Sequence, residues 1–287
     1  MKIGVVGLGL IGGSLARQIM RNTEHTVLAY DISDEVLKKG ALLNAYHDIL
    51  DINAPEIDVD ILIIATNPRA TLKILDSVVP RMKSGAIIMD CAGIKKDVIK
   101  KMEALKQTRE DVFFVGGHPM AGREFSGVSH STATLFERAY IILTPVDMDD
   151  ICALERMKEF FKEVKCEGIT ISGYDKHDKI IAYTSQLAHV ISSSYIKNPL
   201  SSEHVGYSAG SFRDLTRVAK LNAPMWTELF LSNKKYLLEA ISDIQLRIEE
   251  YKTAIENDDE EKLMELLQDG TEKKEIADKK AREKKQC

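Results

Sequence analysis

Two periods of apolar residues divide the chain. Through the first part, short apolar runs at Lys2 to Val6, Thr26 to Tyr30, Val59 to Ala65, Ala86 to Met89, Val112 to Val115 and Ala139 to Leu143 read as strands, with Gly168 to Ser172 as a further one. Stretches with helical spacing separate them, starting near Ser14, Arg69, Lys95 and Asp149. Strands that alternate with helices predict an α/β fold, a doubly wound Rossmann-type parallel sheet. After about Gly173 no convincing strand occurs, and apolar residues recur at helical spacing almost to the end. The pattern therefore predicts two domains, residues 1–173 around the sheet and residues 174–287 all helical.

The first strand runs straight into Gly7-Leu8-Gly9-Leu10-Ile11-Gly12 and then into a helical pattern. This is the G-x-G-x-x-G turn in its strand-turn-helix setting. Gly7 allows the tight turn, Gly9 lets backbone approach a pyrophosphate, and Gly12 lets helix and strand pack closely, with the phosphates at the helix N-terminus. The second strand ends at Asp31, placed where a carboxylate accepts from the ribose hydroxyls of NAD. Ile32 and Ser33 offer no cation for a 2′-phosphate, so NAD is expected rather than NADP. Thr66, just past a later strand, is a further candidate cofactor contact by analogy with the fold. The plainer reading, in which the glycines serve only the turn, leaves the acidic residue unexplained.

The run from Gly117 to Gly127 places His118 and Glu124 in a glycine-rich loop, and Asp111 to Gly116 reads as the strand that delivers His118 to the crevice. In open α/β sheets that crevice, beyond the carboxyl ends of the strands, is where ligands bind. Along a helix from about Asp175 to Ile196, a count of 100° per residue groups Asp178, Ala182, Ser185 and His189 on one small, polar stripe. His189 is then either a site residue or a satisfied structural histidine. Arg213 and Arg217 stand four apart on another helical face. Such a pair serves a solvated ion-pair surface or grips a carboxylate in two-pronged fashion.

Charge and cysteine content narrow the classes. With 44 acidic against 39 basic residues, interspersed, the net charge is −5, which argues against a nucleic-acid partner. No apolar run suits a bilayer span, and the chain enters a strand at Lys2, so no membrane partner and a cytoplasmic location are expected. Cys91, Cys152, Cys166 and Cys287 are widely spaced, so reduced, mostly buried thiols and no metal site are expected. Near the end, Leu237, Ile241, Ile244, Ile248, Tyr251 and Ile255 form a narrow helical seam for another helix, in the same chain or in a second copy. Beyond Glu256 the chain is highly charged, and Gly270 is expected to break two solvated helical pieces.

From Gly7 to Trp226 these residues together resemble one family, the prephenate and arogenate dehydrogenases of tyrosine biosynthesis. The resemblance rests on the glycine turn, His118-Pro119-Met120-Ala121-Gly122 with Glu124, Leu135-Phe136, and Asp175-Lys176-His177-Asp178. It continues through Ser185-Gln186-Leu187-Ala188-His189, Gly210-Ser211-Phe212-Arg213-Asp214-Leu215-Thr216-Arg217 and Pro224-Met225-Trp226. It implies a helical dimerisation domain, a homodimer, and NAD-dependent oxidative decarboxylation of prephenate to 4-hydroxyphenylpyruvate, carbon dioxide and NADH. By the same resemblance His118 is the catalytic histidine and Arg217 binds a substrate carboxylate. Arg213 and His189 are then its neighbours, Gly210 allows close backbone approach, and Glu124 joins an ionic network at the mouth. Where the family reads Asp-x-Gly-Ser-x-Lys, this chain has Asp90-Cys91-Ala92-Gly93-Ile94-Lys95, so Gly93 occupies the substrate-facing serine's place. The alternatives are an arogenate or dual-specificity cyclohexadienyl dehydrogenase, a β-hydroxyacid dehydrogenase or imine reductase, which leaves the His118 motif unexplained, and a non-catalytic NAD-sensing protein of the same fold.

Overall fold

The computed structural model describes residues 1–123 and 125–286, with side chains as far as Glu283. Its strands and helices alternate as β1 (Lys2–Val6), α1 (Leu10–Asn22), β2 (Thr26–Tyr30), α2 (Asp34–Leu42), β3 (Asp48–Ile49), β4 (Ile61–Ile64) and α3 (Pro68–Val78). There follow β5 (Ile87–Asp90), α4 (Lys96–Lys106), β6 (Phe113–Pro119), β7 (Tyr140–Pro145), α5 (Ile151–Glu163) and β8 (Gly168–Ile171). The strands make one eight-stranded sheet in the order β3-β2-β1-β4-β5-β6-β7-β8. Every pairing is parallel except β6 with β7. The two-residue β3, polar and brief, is the one strand the apolar pattern does not announce.

Alternation along each strand sends side chains to two separate cores, as the pleat requires. Ile3, Val5, Ile61, Ile63, Ile87 and Met89 pack on one face, and Val6, Leu62, Ile64 and Ile88 on the other. Covered on both sides, the central strands are apolar along their length up to their carboxyl ends, as a buried parallel sheet demands. Because β1, β4, β5 and β6 run parallel, their carboxyl ends share one edge of the sheet.

The segment at His118 departs from the expected loop. β6 continues through Gly116, Gly117, His118 and Pro119, and His118 pairs with Ile142 of β7. The two glycines are there for close packing: a Cβ on Gly116 would lie 2.2 Å from Thr144 Oγ1, and one on Gly117 would lie 2.0 Å from Met89 Cε. Their spacing reads as a turn, but they allow strand neighbours to approach.

Helices follow the sheet: α6 (Tyr174–Ile181), a π-helical stretch at Ala182–Leu187, α7 (Ala188–Tyr195), α8 (Gly210–Thr216), α9 (Ala223–Ser232), α10 (Lys234–Glu256) and α11 (Glu260–Gln286). By internal packing the chain separates into Met1–Tyr236 and Leu237–Cys287. That boundary reflects contacts, whereas a division at Gly173 reflects the change in secondary structure. In the second unit α10 and α11 form a hairpin through Asn257 to Asp259, where Asp258 takes φ 49° and Tyr251 donates to the Leu266 carbonyl (3.1 Å). Gly270 does not break the terminal helix as expected: α11 runs through it. A mid-helix glycine costs about 1 kcal/mol, which good helix formers around it absorb. Along the seam, Leu237 is buried but Ile248 and Ile255 are exposed. The thiols also differ from expectation: among the described cysteines, Cys91 and Cys166 are half-buried and Cys152 is exposed. Burial pushes the Cys166 thiol up to about 12.

Candidate active site

The nucleotide edge is built as its glycines require. Gly7 takes φ +91°, and a Cβ there would meet the Ala65 carbonyl at 2.7 Å. A Cβ on Gly12 would lie 1.9 Å from the Gly7 carbonyl oxygen, so only glycine closes this turn. Gly9, by contrast, has nothing within 4 Å of where a Cβ would stand, and as N-cap of α1 it provides no side-chain cap. A helix N-terminus with open space before it suits a pyrophosphate. Leu8 and Leu10 flank Gly9, and Ile11 packs against the core beneath. The Asp31 carboxylate is held by the backbone N–H groups of Leu8 (2.8 Å) and Ser33 (3.0 Å), leaving further acceptor capacity for sugar hydroxyls. Ile32, beside it, is exposed. Thr66 follows β4, half-buried, with its hydroxyl 2.9 Å from that of Thr71.

Further along the same edge, β5 ends at Asp90 and turns through Gly93 into α4. The side chains of Asp90 and Lys95 are fully buried and paired, and Lys95 Nζ also donates to the Gly117 carbonyl (2.5 Å). Asp90 further accepts from the N–H groups of Ala92 (2.8 Å) and Gly117 (3.2 Å). A buried charge is tolerable only when paired and hydrogen-bonded in this way. The cluster clamps the turn against β6 beside His118.

His118 Nδ1 lies 2.8 Å from His177 Nε2, and His177 Nδ1 lies 2.7 Å from Asp178 Oδ1. Asp178 in turn accepts from the backbone N–H groups of Lys95 and Lys96, each at 2.9 Å, at the start of α4. On the other side of His118, a Cβ at Gly93 would stand 3.8 Å from Nε2 and 3.7 Å from Leu229 Cδ2 of α9. Burial first, then the neighbouring His177 and Lys95, hold the His118 pKa well below the ordinary histidine value of 6.5, so its imidazole is uncharged at neutral pH.

The helices are tied to this edge by polar contacts. Asn233 Nδ2 donates to the Asp178 carbonyl and to Gln186 Oε1, both at 2.8 Å, and Gln186 donates to the Leu229 carbonyl (3.0 Å). Glu228 of α9 accepts from the Arg69 N–H at the start of α3 (2.9 Å). In the π-helical stretch the Ser185 carbonyl accepts from the Ala188 N–H and lies 2.8 Å from His189 Nδ1, and the His189 ring packs 3.9 Å from that of Trp226. The expected stripe is thus divided: Asp178 joins His118 through His177, while His189 stacks on α9. Gly210 begins α8, with Arg213 on that helix and Arg217 at its C-terminal cap, both exposed. Glu124 lies outside the described residues. The sequence does not pair His177 with His118; its adjacency to Asp178 signals an oriented imidazole, and folding sets the partner.

The glycine turn, the carboxylate after β2 and a histidine at the end of β6 set a nucleotide-type edge beside a buried, uncharged imidazole. Residues 15–178 match the family model described as prephenate dehydrogenase, nucleotide-binding domain, and residues 174–269 match prephenate dehydrogenase, dimerization domain. The chain belongs to the prephenate dehydrogenase family. It is a dehydrogenase of the prephenate and arogenate class, an oxidoreductase. Prephenate dehydrogenase of Bacillus subtilis is 32% identical over 90% of this chain and 71% of that one. The prephenate dehydrogenase of A. aeolicus, solved with hydroxyphenyl propionate and NAD+, superposes with a TM-score of 0.82 at 26% identity, covering 96% of this chain and 98% of the other. Synechocystis arogenate dehydrogenase superposes with a TM-score of 0.80 at 25% identity, over 96% of this chain and 100% of its own. Among the described residues no helix is long and apolar enough to cross a membrane.

Proposed function

We propose that the protein catalyses NAD-dependent oxidative decarboxylation of prephenate to 4-hydroxyphenylpyruvate, carbon dioxide and NADH, serving tyrosine biosynthesis as a cytoplasmic homodimer. The observation that carries this reading is His118, an uncharged imidazole with one nitrogen engaged by His177 and the other facing Gly93. In prephenate the C4 hydroxyl must lose its proton as hydride leaves the same carbon, and departure of the ring carboxylate as carbon dioxide makes the ring aromatic. His118 Nε2 accepts that proton, a role worth about 10² to 10⁴ in rate. NAD, when bound, supplies the hydride acceptor.

Gly7 to Gly12 cradle its pyrophosphate, Asp31 accepts from its ribose hydroxyls, and Thr66 stands beside it; the open space at Gly9 and the spare acceptor capacity of Asp31 fit that group. Arg217 grips a substrate carboxylate, with Arg213 and His189 beside it, Gly210 allowing close backbone approach and Glu124 at the mouth. Residues 1–173 thus serve the cofactor, and residues 174–287 the substrate and the dimer. Leu200, Val205 and Tyr207 in the helical part are strongly exposed, which suits burial against a second copy. Among the described residues, Cys91, Cys152 and Cys166 are free thiols, which suits a reducing compartment.

The test is turnover of prephenate and of arogenate, each with NAD and with NADP, read as NADH or NADPH absorbance and carbon dioxide release. Prephenate with NAD should give both products, and NADP should react far more slowly because Asp31 repels its 2′-phosphate. Turnover of arogenate alone would reassign the substrate, and equal rates with NADP would contradict the role of Asp31. Binding of NAD without turnover of either substrate would favour a non-catalytic NAD sensor.

A further inference from the structure

The hydrogen bonds behind His118 dictate where each proton sits. Asp178 Oδ1 and Oδ2 are held by the backbone N–H groups of Lys95 and Lys96, so the buried carboxylate is a fixed acceptor. His177 Nδ1, 2.7 Å from Asp178 Oδ1, therefore carries hydrogen. A neutral His177 then has its lone pair on Nε2, which accepts from His118 Nδ1–H at 2.8 Å. The lone pair of His118 is thereby left on Nε2, on the Gly93 side.

Resting on the reading of His118 as the base, we infer that His177 is where the charge of the abstracted proton settles: His118 accepts the substrate proton at Nε2 and passes its Nδ1 proton to His177, which Asp178 then pairs. The substrate O–H bond breaks as His118 Nε2–H forms. The His118 Nδ1–H bond breaks as His177 Nε2–H forms, so the proton count is conserved and no further reactant is needed. A positive charge on His118 would stand in a buried site near Lys95, whereas the same charge on His177 stands in contact with the Asp178 carboxylate. Among the described residues, the ionisable groups tied to the two rings are Asp178, bonded to His177, and the buried Lys95, which is paired with Asp90. Asp90 and Lys95 neutralise each other, which leaves Asp178 as the carboxylate that receives the charge. His177 thus acts as a positioning residue that also stores the proton.

His177→Gln retains an oxygen to accept from His118 Nδ1–H but takes up no proton. In this variant kcat should fall about tenfold or more, NAD affinity should be unchanged, and the acid limb of the kcat profile should move to lower pH, because His118 must then carry the charge alone. Wild-type kcat with an unmoved limb would overturn the inference. Nitrogen-15 spectra of the wild-type imidazoles decide independently if the variant folds poorly: below the limb, the doubly protonated ring should be His177, and a doubly protonated His118 would overturn the inference. His118→Asn is measured alongside, since near wild-type turnover there would sink the base assignment itself rather than the relay.

Discussion

The proposed site draws on two regions, which we call its ends, and they are prepared very differently. At the His118 end the relay is fixed from behind: Asp178 by two backbone N–H groups, His177 by Asp178, His118 Nδ1 by His177, and the adjoining turn by the buried Asp90–Lys95 pair. At the α8 end Arg213 is 80% exposed, and its neighbour Asp214 is 3.7 Å away. Proton transfer demands fixed geometry before the substrate arrives, because a base must lie within hydrogen-bond reach of the proton it takes. Grasping a carboxylate tolerates an open, solvated cation that becomes ordered as the substrate binds. The two ends should therefore fail in different kinetic terms when altered.

Arg217→Ala should give the larger effect on this contrast. One charge-assisted pair to the substrate carboxylate is worth several-fold to about 10³-fold in binding, so KM for prephenate should rise strongly while NAD affinity stays nearly constant. Steady-state kinetics with each substrate varied in turn measures both. An unchanged KM would assign Arg217 to the solvated surface and remove one side of the comparison.

Gly93→Ser probes the prepared end more gently. The Cβ positions at Gly93 are in ordinary contact with His118 and Leu229, and the residue lies outside the left-handed region, so a serine fits without strain. Its hydroxyl adds one hydrogen bond near His118 Nε2, and kcat should rise by about twofold to tenfold. A fall in kcat at constant KM would mean that the hydroxyl occupies His118 Nε2 rather than assisting it.

Much of this arrangement is legible in the residues alone, and the exceptions share a cause. The apolar runs locate seven strands because buried parallel strands carry their own signal, and the glycine turn with Asp31 identifies the nucleotide edge because the spacing is dictated by a pyrophosphate and a ribose. The two-residue β3 escapes because its pairing with Leu28 and Ala29 is tertiary. Gly116 and Gly117 mislead because a glycine needed for close approach between strands looks the same as one needed for a turn. The stripe on the helix after Gly173 divides because a count of 100° per residue fails across the π-helical stretch at Ala182–Leu187. His177 lies far from His118 in sequence, and only folding brings the two nitrogens to 2.8 Å.

The most direct measurement is the pH profile of kcat for the wild type and His118→Asn with prephenate and NAD. Because burial holds the His118 pKa below 6.5, the neutral, proton-accepting form prevails at and above neutral pH. The wild-type rate should be flat there and fall in more acidic solution, in a limb that belongs to the His118–His177 pair as a whole. His118→Asn should lower kcat by about 10² or more and lose that limb, with NAD affinity retained. Near wild-type turnover in His118→Asn, with the same acidic limb, would contradict the account and make His189 the base to examine.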